Sequence, residues 1–187
     1  MTSCKTTVCC GLLFFLAVPG SLLAQGKSSG DIRSCRAFVQ EFYDWYMRLP
    51  ENATATNDQR PADEIALKQR KSIFSAELSR RLQKDYESAD KAPGELVGLD
   101  FDPFLNSQDP DQRYVAGRIR LQGSSYWADV YGVADGNKRE RPDVVAELVF
   151  ENGRWLFLNF HYPDCKPRRS CNLLSILKQL EQQRQQK

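Results

Sequence analysis

The chain has 187 residues, of which 27% are charged and 41% are hydrophobic, and its formal net charge is +2 at pH 7. This length fits one domain with a substantial core, and the balanced charge gives no electrostatic reason to expect nucleic acid as a partner. The chain contains a single histidine, and its cysteines lack zinc-ligand spacing, so we expect no metal site and no cofactor.

The first 24 residues are predicted to be a cleavable secretory signal peptide. Lys5 is their only charged residue and precedes an apolar stretch over 8–24 that ends in a small residue, which is the pattern of a secretory signal. The alternative is an uncleaved anchor, but Pro19 and Gly20 interrupt the stretch before it reaches the roughly 20 residues that span a bilayer. We therefore expect an exported protein, periplasmic or secreted, without stable membrane insertion after cleavage.

Three cysteines remain after cleavage, and an oxidising compartment favours pairing of two of them. Cys165 and Cys171 lie close together in the sequence with Pro167 between them, so a bond between these two is the first choice. The alternative joins Cys35 to one of them and would tie the first helix to the end of the chain. Either pairing leaves one thiol.

The mature chain is predicted to begin with a flexible leader over 25–34, followed by a single domain over 35–182 and a frayed tail over 183–187. The domain opens with an amphipathic helix that Ser34 caps and Pro50 ends. The inward face of this helix carries Cys35, Phe38, Val39, Phe42, Trp45, Tyr46 and Leu49. A second helical segment runs from Pro61 to about Tyr86, with a break near Ser72 and Phe74, Leu78 and Leu82 on its apolar side.

Residues 91–112 are predicted to be a loop, because they hold three prolines and show no periodicity. Alternating acids between Asp100 and Asp109 invite a calcium interpretation, but the closing bidentate glutamate of a helix-loop-helix calcium site is absent. We therefore expect turn and cap chemistry here.

Beyond this loop the hydrophobic period changes from that of a helix to that of a strand. Asn152 and Gly153 predict a hairpin turn, and a final helix is expected from Leu173 to about Gln182. Four strands are predicted, over residues 114–121, 126–134, 144–150 and 155–162. The order of elements predicts an α+β fold in which N-terminal amphipathic helices pack on a curved four-stranded antiparallel sheet, with a C-terminal helix.

Three strings of residues occur in an order that resembles a known family. They are Phe-Val-Gln-Glu-Phe-Tyr-Asp-Trp-Tyr at 38–46, Asp-Pro-Phe-Leu-Asn-Ser-Gln-Asp at 102–109 and Trp-Leu-Phe-Leu-Asn-Phe-His-Tyr-Pro at 155–163. They resemble a family of small exported bacterial proteins that is catalogued as the domain of unknown function 3828. The resemblance runs from about residue 36 to about 165. It implies a cystatin-like cone of the nuclear-transport-factor-two type, but no activity and no catalytic residues.

The preferred functional hypothesis is a non-catalytic binding or interaction module of the cell envelope. A curved sheet capped by an aromatic helix encloses a conical space, which side chains could fill or which could hold a small apolar ligand. A partner protein is the other possible binding partner. Alternation places neighbouring strand residues on opposite faces, so at most one of Tyr126 and Trp127 points inward. The candidate cavity residues are Trp45, Tyr46, Tyr126, Trp127 and Trp155.

The alternative hypothesis is a small acid–base enzyme that acts on an apolar substrate within the cone, with a buried carboxylate and a tyrosine hydroxyl. Asp129 and Glu147 are possible bases because each lies in the middle of a strand, although the simpler interpretation is that both face water. His161 has no nucleophile in any readable motif, so no catalytic residue is assigned. An inward-facing carboxylate with a raised pKa in an open pocket would favour the enzyme.

Overall fold

The structure is a computed structural model that describes residues 1, 30–50, 60–91, 97–166 and 171–186. Apart from Met1, the predicted signal peptide lies outside the described residues. The elements, in chain order, are α1 (Ile32–Tyr46), α2 (Ala62–Gln69), α3 (Ala76–Asp90), β1 (Arg113–Gln122), β2 (Ser125–Ala134), β3 (Asn137–Lys138), β4 (Val144–Glu151), β5 (Arg154–His161) and α4 (Leu173–Gln185). This order confirms the predicted α+β class and the C-terminal helix. No helix in the described ranges is both long and apolar enough to cross a bilayer.

The sheet is antiparallel, and its long strands lie in the order β1-β2-β4-β5. Asn152 and Gly153 both have positive φ, which is the backbone of the tight hairpin turn predicted between β4 and β5. The two-residue strand β3 pairs only with the end of β2 and was missed, because a two-residue polar strand leaves no hydrophobic period. Two register shifts, at 116–119 in β1 and at 147–148 in β4, bend the sheet.

The ends of two helices differ from the predicted domain boundaries. α1 begins at Ile32, inside the predicted leader over 25–34, because Asp31 and not Ser34 is its cap. The Asp31 carboxylate accepts the Ser34 backbone N–H at 2.7 Å, and the Ser34 hydroxyl oxygen accepts the Asp31 N–H at 3.2 Å. At the other end α4 continues to Gln185, three residues beyond the predicted domain end at 182.

Aromatic side chains fill the cone, the space between α1 and the curved sheet. Phe42 of α1 lies with its ring centroid 4.9 Å from that of Phe157 on β5, and Phe104 lies 4.9 Å from Phe160. Phe74 stacks on Phe104 at 5.3 Å, and all five side chains are buried. Burial of one such ring stabilises the fold by about 1.5–3 kcal/mol. The packing is therefore that of a protein core and not of an open ligand cavity.

The C-terminal segment is tied to the sheet by a disulfide between Cys165 and Cys171, which confirms the first choice of pairing. Next to it, the Tyr162 N–H donates to the Cys171 carbonyl at 2.9 Å. Asn172 then caps α4 by accepting the Ser175 N–H at 3.0 Å. The remaining thiol, Cys35, is 0% exposed, and burial raises its pKa to about 12.

Candidate ligand-binding cleft

A cleft of about 580 Å³ lies between α2, α3 and the 97–110 loop, which leads into β1. One part of its wall is apolar or aromatic and consists of Tyr86, Val97, Leu99 and Phe101. Another part is acidic and consists of Asp63, Glu64, Asp85, Asp90, Asp100 and Asp102. The cleft thus combines the aromatic surface and the converging polar groups that are typical of small-molecule sites.

Helix α3 places two of these side chains through its buried stripe. Ser75 caps the helix by accepting the Leu78 N–H at 3.2 Å, and Leu78 and Leu82 face the core. Asp85 follows Leu82 by three positions, so it lies on the same side of the helix and is buried at the inner end of the cleft. Tyr86 follows it and forms part of the aromatic wall.

Asp85 is an acid of the cleft whose negative charge is compensated by an arginine. Arg184 of α4 donates to its Oδ1 at 2.6 Å, and the Leu99 N–H donates to its Oδ2 at 3.0 Å. Gly98 has a φ of +98°, and a Cβ there would lie 2.8 Å from Asp85 Oδ2. The 97–110 loop can therefore approach this carboxylate closely only with glycine at position 98.

Asp102 is held from two sides. Its Oδ1 accepts the N–H groups of Phe104 at 2.9 Å and Leu105 at 3.1 Å, and its Oδ2 accepts the Tyr46 hydroxyl at 2.6 Å. The pKa of Asp102 is raised to about 7, mainly by burial and also by the negative charge of Asp63, after its hydrogen bonds have offset part of the rise. Near neutral pH the protonated and the ionised forms of this carboxyl group are therefore both populated.

Asp63, in the first turn of α2, is the second carboxylate without a cation. Its side chain is only 6% exposed, and the Tyr86 hydroxyl donates to its Oδ2 at 2.6 Å. Burial is the main cause that raises its pKa above the usual range. Burial also raises the pKa values of Tyr46 and Tyr86 well above 10, so both hydroxyls stay protonated donors. Within the described ranges neither Asp63 nor Asp102 belongs to an ion pair.

The five residues predicted to line a cavity do not meet at one place. The Arg70 guanidinium lies 4.1 Å from the Trp45 ring, and Tyr46 reaches Asp102 at the edge of the cleft. The remaining three, Tyr126, Trp127 and Trp155, lie on the sheet. The prediction that all five enclose an apolar ligand stays untested, while the cone that they would line is filled by aromatic rings.

The aromatic residues of the sheet separate onto its two faces, as alternation requires. Tyr126 meets Trp155 edge to face at 4.9 Å on the core side and donates to the Gly30 carbonyl at 2.7 Å. Trp127 lies on the outer side and stacks on His161 at 4.1 Å. Of the three candidate cavity residues on the sheet, Tyr126 and Trp155 therefore share a contact, and Trp127 lies on the opposite face.

The possible bases also lie on the outer side of the sheet. Asp129 is buried beneath Arg120, whose Nη2 lies 2.5 Å from its Oδ1, which corrects the interpretation that it faces water. Glu147 accepts the Ser125 hydroxyl at 3.0 Å and lies 2.9 Å from His161 Nε2. Ser125 and His161 thus bond the same carboxylate instead of each other, an arrangement that does not activate a serine nucleophile.

No protein-family model, curated protein or solved structure matches the chain. The resemblance to the exported family therefore stays a prediction. Among the described residues no group of three or more histidine, cysteine, aspartate or glutamate side chains is arranged to hold a metal ion.

Proposed function

We propose that this is an exported binding protein of the cell envelope that holds a small cationic organic ligand in the acidic cleft. The observation that carries the proposal is a pair of carboxylates, the buried Asp63 and the half-buried Asp102, which accept hydroxyl or backbone donors but have no cationic partner within the described residues. Both side chains line a cleft of about 580 Å³, a volume suited to a small molecule.

A cation fits this cleft better than a neutral or anionic ligand. Buried carboxylates are costly unless they are paired, and the raised pKa values of Asp63 and Asp102 are the sign of that cost. An ammonium or guanidinium group between them would offset the charge and would favour their ionised forms. The rings of Tyr86 and Phe101 add surfaces on which a cation can lie.

The proposal keeps the binding role predicted from the sequence and changes the ligand from apolar to cationic, because aromatic rings fill the cone. Export is supported by the signal-peptide pattern before residue 25 and by the Cys165–Cys171 bond, since structural disulfides persist in oxidising compartments. The resemblance to an exported bacterial family agrees with the same compartment.

The test is calorimetric titration at pH 8 with benzylamine, putrescine and arginine, each beside a neutral analogue such as benzyl alcohol. We expect at least one amine to bind while its analogue does not, and Asp63→Asn and Asp102→Asn to weaken that binding by about tenfold or more. Asp135→Asn, at an exposed turn residue with positive φ, is the matched control. The idea fails if no amine binds, or if amines and analogues bind alike.

A second candidate function is acid–base catalysis, and Asp102 is the observation that favours it. A half-buried carboxyl group with a pKa of about 7, which accepts a hydrogen bond from a tyrosine hydroxyl beside an open cleft, is the feature expected of a general acid or base. Binding is preferred because both Asp102 oxygens already hold the 97–110 loop in place. Incorporation of solvent deuterium at a carbon atom of a bound amine ligand, present with the wild type and absent with Asp102→Asn, would instead support catalysis.

A further inference from the structure

We propose that a surface away from the cleft docks onto an anionic lipid bilayer. It consists of Ile32, Arg33, Arg36, Leu121 and Tyr126 and is called the hairpin surface, because the β1–β2 hairpin forms one side of it and the start of α1 the other. Ile32 is 48% exposed and Leu121 is 59% exposed, and in the described ranges beyond Met1 they are the large exposed hydrophobic residues.

The exposed hydrophobic residues share one groove. Ile32 and Leu121 line it together with Arg33, Tyr126 and Asp31, and its volume is about 420 Å³. Leu121 lies on the same face of β1 as the buried Ile119 and pairs with Tyr126, but it is one residue from the end of the strand at Gln122 and so lies beyond the core.

The charge around this groove is mainly positive. A second groove of about 370 Å³ shares Ile32 and Arg33 with the first and adds Arg36. The acid here, Asp31, is engaged in capping α1. Exposed aliphatic side chains beside basic residues, here Arg33 and Arg36, are the composition with which peripheral proteins contact anionic lipid headgroups.

The path of the chain brings the same surface to the membrane. Tyr126 donates to the Gly30 carbonyl, and a Cβ at position 30 would lie 2.5 Å from the Trp155 ring, so Gly30 is packed tightly at this surface. The predicted signal peptide ends at Ala24, and the six residues from there to Gly30 span at most about 20 Å. While that signal lies in the bilayer, the hairpin surface is therefore held close to lipid; this step rests on the predicted signal peptide.

Charge also decides between a bilayer and a second copy of the chain. In a two-fold contact through this surface, Arg33 and Arg36 of one copy would approach the same arginines of the other, and like charges at close range oppose association. A bilayer that contains anionic lipid meets the arginines with the opposite charge and accepts the aliphatic side chains at the same time. Lys27, three positions before Gly30 in the sequence, adds a further positive charge.

The experiment is co-sedimentation of the mature chain, residues 25–187, with vesicles of phosphatidylcholine alone or with 30% phosphatidylglycerol, at low salt. We expect the partition coefficient to be at least about tenfold higher with phosphatidylglycerol, since each basic residue near such a surface contributes about fivefold. Arg33→Glu with Arg36→Glu should remove this preference, and Ile32→Ser with Leu121→Ser should lower binding by about tenfold. All four substituted positions are exposed, so we expect thermal melting to show that both double variants are folded.

The matched control reverses two charges elsewhere: Lys68→Glu with Lys178→Glu, both at exposed helix positions. It changes the net charge as much as the arginine pair does and should keep most of the vesicle binding. The proposal is overturned if the wild type shows no preference for phosphatidylglycerol, if the control loses as much binding as the arginine pair, or if Ile32→Ser with Leu121→Ser abolishes a dimer instead of vesicle binding. Amine binding in the cleft, measured on the same variants, should not change.

Discussion

The Tyr46 hydroxyl donates a 2.6 Å hydrogen bond to Oδ2 of Asp102 and so joins the buried face of α1 to the 97–110 loop. The same carboxylate organises the loop through the N–H groups of Phe104 and Leu105. Asp102 therefore has a structural role through its oxygens and an electrostatic role through its charge. Substitutions that remove only the structural role or only the electrostatic role can therefore distinguish between the two.

The first prediction concerns Asp102→Asn, which keeps the shape of the side chain and removes its charge. Burial raises the folded-state pKa to about 7 from 3.8, so the folded state binds the proton more tightly than the unfolded chain does. This contribution to stability is fully present below about pH 4 and is lost as the pH rises through about 7. Relative to the wild type, the variant should therefore gain up to about 4 kcal/mol of unfolding free energy between pH 4 and pH 8.

Urea denaturation at each pH measures this difference. Asp135→Asn lies in an exposed turn with positive φ, where asparagine is well tolerated, and should reproduce the wild-type profile. Parallel profiles for Asp102→Asn and the wild type would mean that Asp102 ionises in the usual acidic range, and the electrostatic part of the cleft proposal would then be wrong.

The second prediction concerns Tyr46→Phe, which removes the hydroxyl donor and keeps the ring in the core. At pH 8 the Asp102 carboxylate loses one hydrogen bond, and we expect a loss of about 1–3 kcal/mol of stability. The pKa of Asp102 should rise further, because the Tyr46 bond lowers it in the wild type. Amine binding at pH 7 should weaken accordingly. The control is Tyr131→Phe, whose ring keeps its contact with Lys138, and an equal loss of amine binding in both variants would contradict the role of Tyr46.

Local patterns predicted the secondary structure well because each depends on neighbouring residues. The apolar stripe of α1, the alternation of the long strands and the Asn152–Gly153 turn are all visible within a few positions. The predicted start of the domain at Cys35 was late because Asp31 and Ser34 can both cap a helix, and the reciprocal bonds between them decide the choice. The break near Ser72 appears as a short 3₁₀ turn over Lys71–Ile73.

The cleft could not be predicted because its contacts join distant parts of the chain. Asp85 lies on the apolar stripe of its helix, yet its partner Arg184 is 99 positions away. Tyr46 and Asp102 are 56 positions apart, and each was assigned a local role, in a helix face and in a turn. An acid at an apolar helical position, as at Asp85, is the one signal in the sequence that could have indicated a buried ionic site.

The third prediction concerns the thiols. Cys35 is fully buried with a pKa of about 12, so the mature chain, residues 25–187, should show no thiol that reacts with an aromatic disulfide reagent at pH 8. Reduction of Cys165–Cys171 should expose two thiols and should lower stability by about 2 kcal/mol, the loop-closure value for so short a loop. Mass spectrometry of the alkylated protein checks both statements. Labelling of Cys35 before reduction would show that α1 separates from the sheet.

The fourth prediction tests whether the cone is filled. Leu148 of β4 is fully buried, and Leu148→Ala should cost about 2–5 kcal/mol and leave an apolar cavity. Benzene should enter such a cavity and raise the melting temperature of the variant, as dry engineered cavities do. The wild type should show no such rise, and neither should Leu156→Ala, a half-buried position where no core side chain is removed.

Each result of the benzene measurement separates two interpretations of the fold. A rise confined to Leu148→Ala means that Phe42, Phe104 and Phe157 already occupy the cone, and ligands have to bind elsewhere, in the acidic cleft. An equal rise in the wild type means that an apolar molecule reaches the cone between these rings. That outcome would restore an apolar ligand as the better hypothesis and would leave Asp63 and Asp102 as structural acids, because the cleft would no longer be needed to explain binding.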